Sequence, residues 1–269
     1  MIRLSANLGL LWADRPLPLA VRAAAAAGFD AVELHWPYAT PPAELRAALD
    51  AGGLPVLSLN TARGEGFGLS ALPGREAEAR DAIDAAIAYA RAVGAGAVHV
   101  MAGHAEGTAA EAAFLANLRH ACDAAPDLTI LIEALNPVDV PGYFLRDTAQ
   151  AAALIGAAGR GNLGLMFDCY HVARTEGDVA ARFAALRPLI GHVQFAGVPD
   201  RGAPDRGSVD YAALLPEFGW DGYFGAEYRP LGAVEDELGW IEAIRASGAP
   251  RGVGRPSPPG RAGDADAGG

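Results

Sequence analysis

Short apolar runs alternate along the chain with longer alanine-rich stretches. The runs are IRLSAN (2–7), AVEL (31–34), PVLSLN (55–60), AVHVMA (97–102), LTILIE (128–133), LGLMFD (163–168), GHVQF (191–195) and YFGAE (223–227). Each has the length of a strand, and most are apolar along their whole length rather than on alternate residues. Unbroken apolar strands belong to parallel sheets buried on both faces. The stretches between them, such as LPLAVRAAAAAG and GREAEARDAIDAAIAYARAVGA, carry helical periodicity, and several stop at a glycine such as Gly28 or Gly94, where a helix C-cap needs one. Eight strand–helix units in about 245 residues predict an α/β fold, a single closed (β/α)8 TIM barrel. A doubly wound open sheet would show fewer strands and a glycine-rich first turn. The barrel is expected over residues 1–247. Residues 248–269 are Gly, Pro, Arg and Asp with almost no large apolar side chain, and are expected to be a disordered tail.

Composition narrows the chemistry. Among the 269 residues, 51% are hydrophobic, enough for a large core, and no apolar run reaches the length of a membrane span. The start, MIRLSANLGLLWADRP, lacks the apolar core and cleavage site of a signal peptide, so a cytoplasmic location is expected. Two cysteines, Cys122 and Cys169, make neither a disulfide framework nor a C-x-x-C pair. A net charge of -11 opposes nucleic-acid binding. It leaves room for a small anionic substrate held by a few arginines. The chain contains no lysine, which excludes Schiff-base chemistry and P-loop phosphate binding. No G-x-G-x-x-G follows a strand, so no nucleotide cofactor is expected. Homo-oligomerisation is left open.

In a barrel the chemistry gathers at the C-terminal ends of the strands. Strand five ends at Glu133, strand six at Asp168, strand seven carries Gln194 near its end, and strand eight ends at Glu227. Asp168 taken singly fits a helix N-cap. Four such residues on consecutive strands converge on one rim, where three carboxylates would repel unless a cation joined them. An all-oxygen set of this kind favours Mg²⁺ or Mn²⁺ over zinc. His171, three residues past Asp168, lies over the same rim and can contact a substrate oxygen. His192 is expected one layer below Gln194, His99 in the core, and Cys169 facing the helices. Arg201, in the Gly- and Pro-rich segment AGVPDRGAPDRG, is suited to grip a carboxylate. The loop NTARGEGFGLSALPGRE after strand three could close over the site with Arg63 or Glu65 reaching inward, and HWPY (35–38) supplies an aromatic wall.

These residues together resemble a family. The segments GFDAVELHWPY, LPGREAEARDAIDAAIAYARAVG, IEALNPVDVPGYFL, FDCYHVARTEG, GHVQFAGVPDRGAP and GAEYRP are similar to the hydroxypyruvate isomerase family of the xylose-isomerase-like barrels, from about residue 2 to 246. The resemblance implies a divalent-metal site of Glu133, Asp168, Gln194 and Glu227, with Glu133 and Glu227 as the acid/base pair. Gln rather than His at position 194 points to the isomerase branch instead of the sugar epimerases. His171 and Arg201 match substrate-contact positions, and Asn60, Arg63 and Asp139 complete the expected set. The implied activity is that of an intramolecular oxidoreductase: hydroxypyruvate to 2-hydroxy-3-oxopropanoate through an enediolate. A 2-oxo-tetronate isomerase, a ketose 3-epimerase or a silent binding barrel are the alternatives. The loop after Asn60 is shorter than the family's, and Asp205, Arg206 and Ser208 depart from its pattern, both in rim loops that would shape the substrate pocket.

Overall fold

The computed structural model describes residues 1–248, so the expected disorder of the tail lies outside the described residues. Eight parallel strands close in sequence order: β1 (Arg3–Asn7), β2 (Ala31–Leu34), β3 (Val56–Asn60), β4 (Ala97–His99), β5 (Thr129–Glu133), β6 (Leu163–Asp168), β7 (Ile190–Phe195) and β8 (Tyr223–Ala226), with β8 pairing back onto β1. All eight expected strands are present. Strand four is shorter than its apolar run, and β8 stops at Ala226, which leaves Glu227 as the first residue beyond it.

The helices are α1 (Leu17–Ala26), α2 (Pro42–Gly52), α3 (Glu76–Val93), α4 (Gly107–Ala124), α5 (Thr148–Ala158), α6 (Cys169–Thr175), α7 (Val179–Leu186), α8 (Tyr211–Glu217) and α9 (Trp240–Ser247). The helix α6 adds to the expected pattern. It begins directly at the end of β6, because the Asp168 carboxylate accepts a hydrogen bond from the Tyr170 backbone N–H at 2.8 Å and caps it. The last expected helix is split, with a 3₁₀ turn at Val234–Glu237 preceding α9.

Strand pleating sorts the side chains into two layers. Ile130, Ile132, Leu165, Phe167, Val193, Phe195 and Phe224 belong to the large cluster that packs under the helices. Their alternates fill the barrel interior: Ala97, Leu131 and Met166 form a small apolar plug of their own. One pleat higher on the same faces stand His99, Glu133 and Asp168. Register brings the polar ends level, with Asn60 beside His99, Asp168 beside Gln194, and Gln194 beside Gly225. The runs therefore look apolar throughout only because their inward polar residues cluster at one end. A surface cavity of about 990 Å³ opens at the opposite end of the barrel around Met1, Trp220 and Gly248. The clustered titratable side chains lie at the C-terminal end.

Candidate active site at the C-terminal rim

Glu133, Asp168, Gln194 and Glu227 are all buried at one rim. Asp168 has two tasks. Its Oδ1 caps α6, and its Oδ2 faces the site, 3.6 Å from His171 Nε2 and 3.4 Å from Arg201 Nη2. Helix cap and site residue are thus the same side chain. Arg201 is delivered into this cluster by left-handed backbone, φ 55°, at the tip of a loop closed by a bridge between Gly197 and Gly202. Its Nη2 donates to Glu227 Oε1 at 2.8 Å, and no partner is found for Nη1 among the described residues.

The electrostatics are uneven. Burial, then repulsion from Glu227 and Asp168, push the Glu133 carboxyl well above the usual carboxylate range. Burial also raises Asp168, against the pull of Arg201, to about 7. Burial acts on Glu227 in the same direction, but Arg201 and the His35 hydrogen bond outweigh it and hold that carboxyl at about 2. One guanidinium thus faces three buried carboxylates, and its pull on Glu133 is outweighed by burial and by the other two.

His171 is fixed by Asn136, whose backbone N–H and side-chain amide donate to Nδ1 at 2.9 and 2.7 Å. Burial and Arg201 lower its pKa to about 3, so the ring is neutral and its proton sits on Nε2. That Nε2 is buried without a hydrogen-bond partner, 3.7 Å from Glu133 Oε1. Among the described residues Glu133, Asp168 and His171 offer ligand atoms within 4.8 Å of one another. With Nδ1 occupied as an acceptor, however, His171 presents a donor to the site rather than a lone pair.

The other expected contacts lie farther back. Asp139 accepts from Asn136 Nδ2 at 3.0 Å and from Tyr170 Oη at 2.5 Å, so its carboxylate braces Asn136 and through it His171. Asn60 Oδ1 meets His99 Nδ1 at 3.1 Å inside the barrel, and His99 stands 3.8 Å from Glu133 Oε2. Arg63 is exposed, its guanidinium over the rings of Trp36 and Phe67 and its Nε donating to the Gly66 carbonyl. Glu65 is exposed as well. Cys169 is fully buried in the outer core.

Three site residues escaped the strand-end pattern. His35, at the start of HWPY, donates through Nε2 to Glu227 Oε1 at 3.1 Å and is more than aromatic wall. Gly9 makes room for its ring, since a Cβ there would overlap it. Asn136 orients His171. Glu33 sits inside the barrel below the rim. A lone acid within the apolar run AVEL was the available signal for it.

The residues present fit a divalent cation. Glu133 Oε1 and Gln194 Oε1 are buried acceptors with no hydrogen-bond partner, beside three buried carboxylates that share the single guanidinium of Arg201. The sequence matches the xylose isomerase-like TIM barrel family over residues 21–244. The chain belongs to this family. It is 42% identical over 255 residues to the 2-oxo-tetronate isomerase of Cupriavidus necator, covering 90% of this chain and 98% of that one. The hydroxypyruvate isomerase of Escherichia coli is 34% identical over 258 residues, covering 91% and 100%. A solved structure titled AP endonuclease, family 2, from Brucella melitensis superposes with a TM-score of 0.86 at 35% identity, covering 90% and 98%.

Proposed function

We propose that this barrel isomerises small hydroxylated 2-oxo acids, with hydroxypyruvate and 2-hydroxy-3-oxopropanoate as the substrate pair. The observation that carries the reading is the pair Glu133 and Glu227, both buried on one rim, with His171 Nε2 3.7 Å from Glu133 Oε1 and Arg201 Nη2 2.8 Å from Glu227 Oε1. The reaction takes a proton from C3, returns one to C2, and moves the hydroxyl proton from the C3 oxygen to the C2 oxygen. It needs one carboxylate that is ionised and one group that carries a proton. Glu227, held ionised by Arg201 and His35, takes the C3 proton. Glu133 returns a proton to C2. Arg201 holds the substrate carboxylate with its unpartnered Nη1, and His171 Nε2–H donates to a substrate oxygen. Glu133, Asp168, Gln194 and Glu227 would hold a divalent cation, Mg²⁺ or Mn²⁺. When bound, that ion supplies Lewis acidity toward the carbonyl and hydroxyl oxygens.

The names of the isomerase relatives support the same class of reaction. The 42% identity to a 2-oxo-tetronate isomerase favours a second reading, a four-carbon substrate on the same residues. The endonuclease title of the Brucella protein is not carried over, since a net charge of -11 works against a DNA backbone. No helix of the described residues is long and apolar enough to cross a membrane. The test is turnover of three-, four- and six-carbon substrates with Mg²⁺, with Mn²⁺ and with chelator. Preferred turnover of the three-carbon acid, dependent on the cation, is expected. Glu227→Gln should lower kcat by about 10²–10⁴-fold. A folded Glu227→Gln enzyme within tenfold of wild type would remove Glu227 from the chemistry, and turnover of nothing in the panel would leave a silent barrel.

A further inference from the structure

Glu33 is the one acid on β2, and it is 1% exposed inside the barrel. Three side chains surround its carboxylate. Ser5 Oγ donates to Oε1 at 2.5 Å, Gln194 Nε2 donates to Oε2 at 2.8 Å, and His192 Nε2 stands 3.0 Å from Oε1. Space for it comes from β8, where a Cβ on Gly225 would collide with the Glu33 carboxylate. A buried carboxylate is among the costliest groups to place in a fold, and it persists where its oxygens are matched by donors.

Gln194 has one end for donating and one for accepting. The Glu33 carboxylate accepts from the NH₂ end. The opposite atom, Gln194 Oε1, is then turned away from Glu33. It is buried with no hydrogen-bond partner, on a strand in direct register with Asp168.

We infer that Glu33 is a positioning residue that locks the Gln194 amide with its oxygen toward the rim, as a ligand for a divalent cation. This rests on the metal-holding role proposed above for Glu133, Asp168, Gln194 and Glu227. Without the acceptor at Glu33, the amide can rotate and present its NH₂ group, which cannot ligate. An amide needs such a lock because its two ends have nearly the same shape.

The experiment is calorimetric Mn²⁺ titration of the full-length chain and of Glu33→Gln, Glu33→Asp, Gln194→Ala and the Glu33→Gln/Gln194→Ala pair, with thermal unfolding as the control for folding. Partners that orient a metal ligand typically contribute 10–100-fold in affinity, so Glu33→Gln should weaken Mn²⁺ binding by about tenfold or more. Glu33→Asp keeps the charge but shortens the reach, and should weaken it similarly. In the Gln194→Ala background the Glu33 substitution should change affinity by less than about twofold, since nothing is left to orient. A purely structural or long-range charge effect would persist in that background at full size, and that result would overturn the inference. So would Mn²⁺ affinities of both Glu33 variants within about twofold of wild type. If Glu33→Gln does not fold, Glu33→Asp with its own Gln194→Ala partner closes the same cycle. Wild-type protein that binds no Mn²⁺ would defeat the metal reading itself, a result distinct from the others.

Discussion

The two halves of the barrel mouth are built from similar polar residues and do different things. The β5–β8 half carries Glu133, Asp168, Gln194 and Glu227, and two of its oxygens, Glu133 Oε1 and Gln194 Oε1, are buried with no partner. The β1–β4 half carries Glu33, His35, Asn60 and His99, and the first three reach across or along the lumen to steady something. Glu33 holds Gln194, His35 holds Glu227, and Asn60 holds His99 beside Glu133. The difference teaches that the unpartnered oxygens and the groups that brace their neighbours come from opposite sides of a closed barrel. A set of unsatisfied oxygens stays in place only if neighbouring groups lock each rotamer.

If that division is right, changes in the β5–β8 half and in the loop that serves it should have the largest effects. Arg201→Ala removes the guanidinium facing three buried carboxylates. Breaking a buried ion pair by deleting one partner costs about 3–5 kcal/mol, so the protein should melt lower. Loss of a charge-assisted grip on the substrate should lower kcat/KM on the order of 100-fold. Steady-state kinetics and thermal unfolding check both. A variant within threefold of wild type in kcat/KM would mean that the substrate carboxylate is held elsewhere.

A smaller effect concerns the burial of the Glu133 carboxyl. In chelated protein the native state keeps a proton on Glu133 above pH 4.5, where the unfolded chain has released it. Asp168, raised from 3.8 to about 7, acts in the same sense. The native state therefore binds more protons, and stability falls as pH rises from about 4.5 toward 7. Glu227, lowered to about 2, has the opposite sign, but its contribution changes only below pH 4.5 and lies outside this window. Glu133→Gln should flatten the decline and raise the melting temperature of chelated protein at pH 7 by roughly 3 °C or more. Identical pH slopes for the two proteins would show that Glu133 is not the strained group.

The same division explains how much was legible in the sequence. The barrel followed from eight apolar runs, and the β5–β8 cluster followed from polar residues at strand ends, because an acid that interrupts an apolar run at its end stands out. Glu33 does not end its run, and the strand looks apolar around it. Nothing local indicates that Ser5, Gln194 and His192 surround it, since those contacts depend on register around the closed barrel. His35 was grouped with the aromatics of HWPY for the same reason. Its partner, Glu227, lies 192 residues away in sequence. Asp139 and Asn60 were expected as substrate contacts, and their hydrogen-bond partners give them bracing contacts that position alone could not specify.

Arg63 provides the smallest test and the sharpest contrast with Arg201. Both arginines sit in loops that follow a strand, and both are suited by type to a carboxylate. Arg201 is carried inward by a left-handed turn and has a side chain 13% exposed. Arg63 is exposed, stacked over Trp36 and Phe67 at 5.0 and 5.3 Å from the ring centroids, and its Nε is taken by the Gly66 carbonyl. Exposed stacking of this kind is worth about 0.5–1 kcal/mol. Arg63→Ala should therefore loosen the rim loop slightly and change kcat/KM by no more than about threefold, with the pH–stability slope untouched. A tenfold rise in KM with kcat unchanged would instead show that the loop swings Arg63 onto the substrate during binding. The supporting half of the mouth would then contribute a direct contact, and the division between the two halves would fail at that loop.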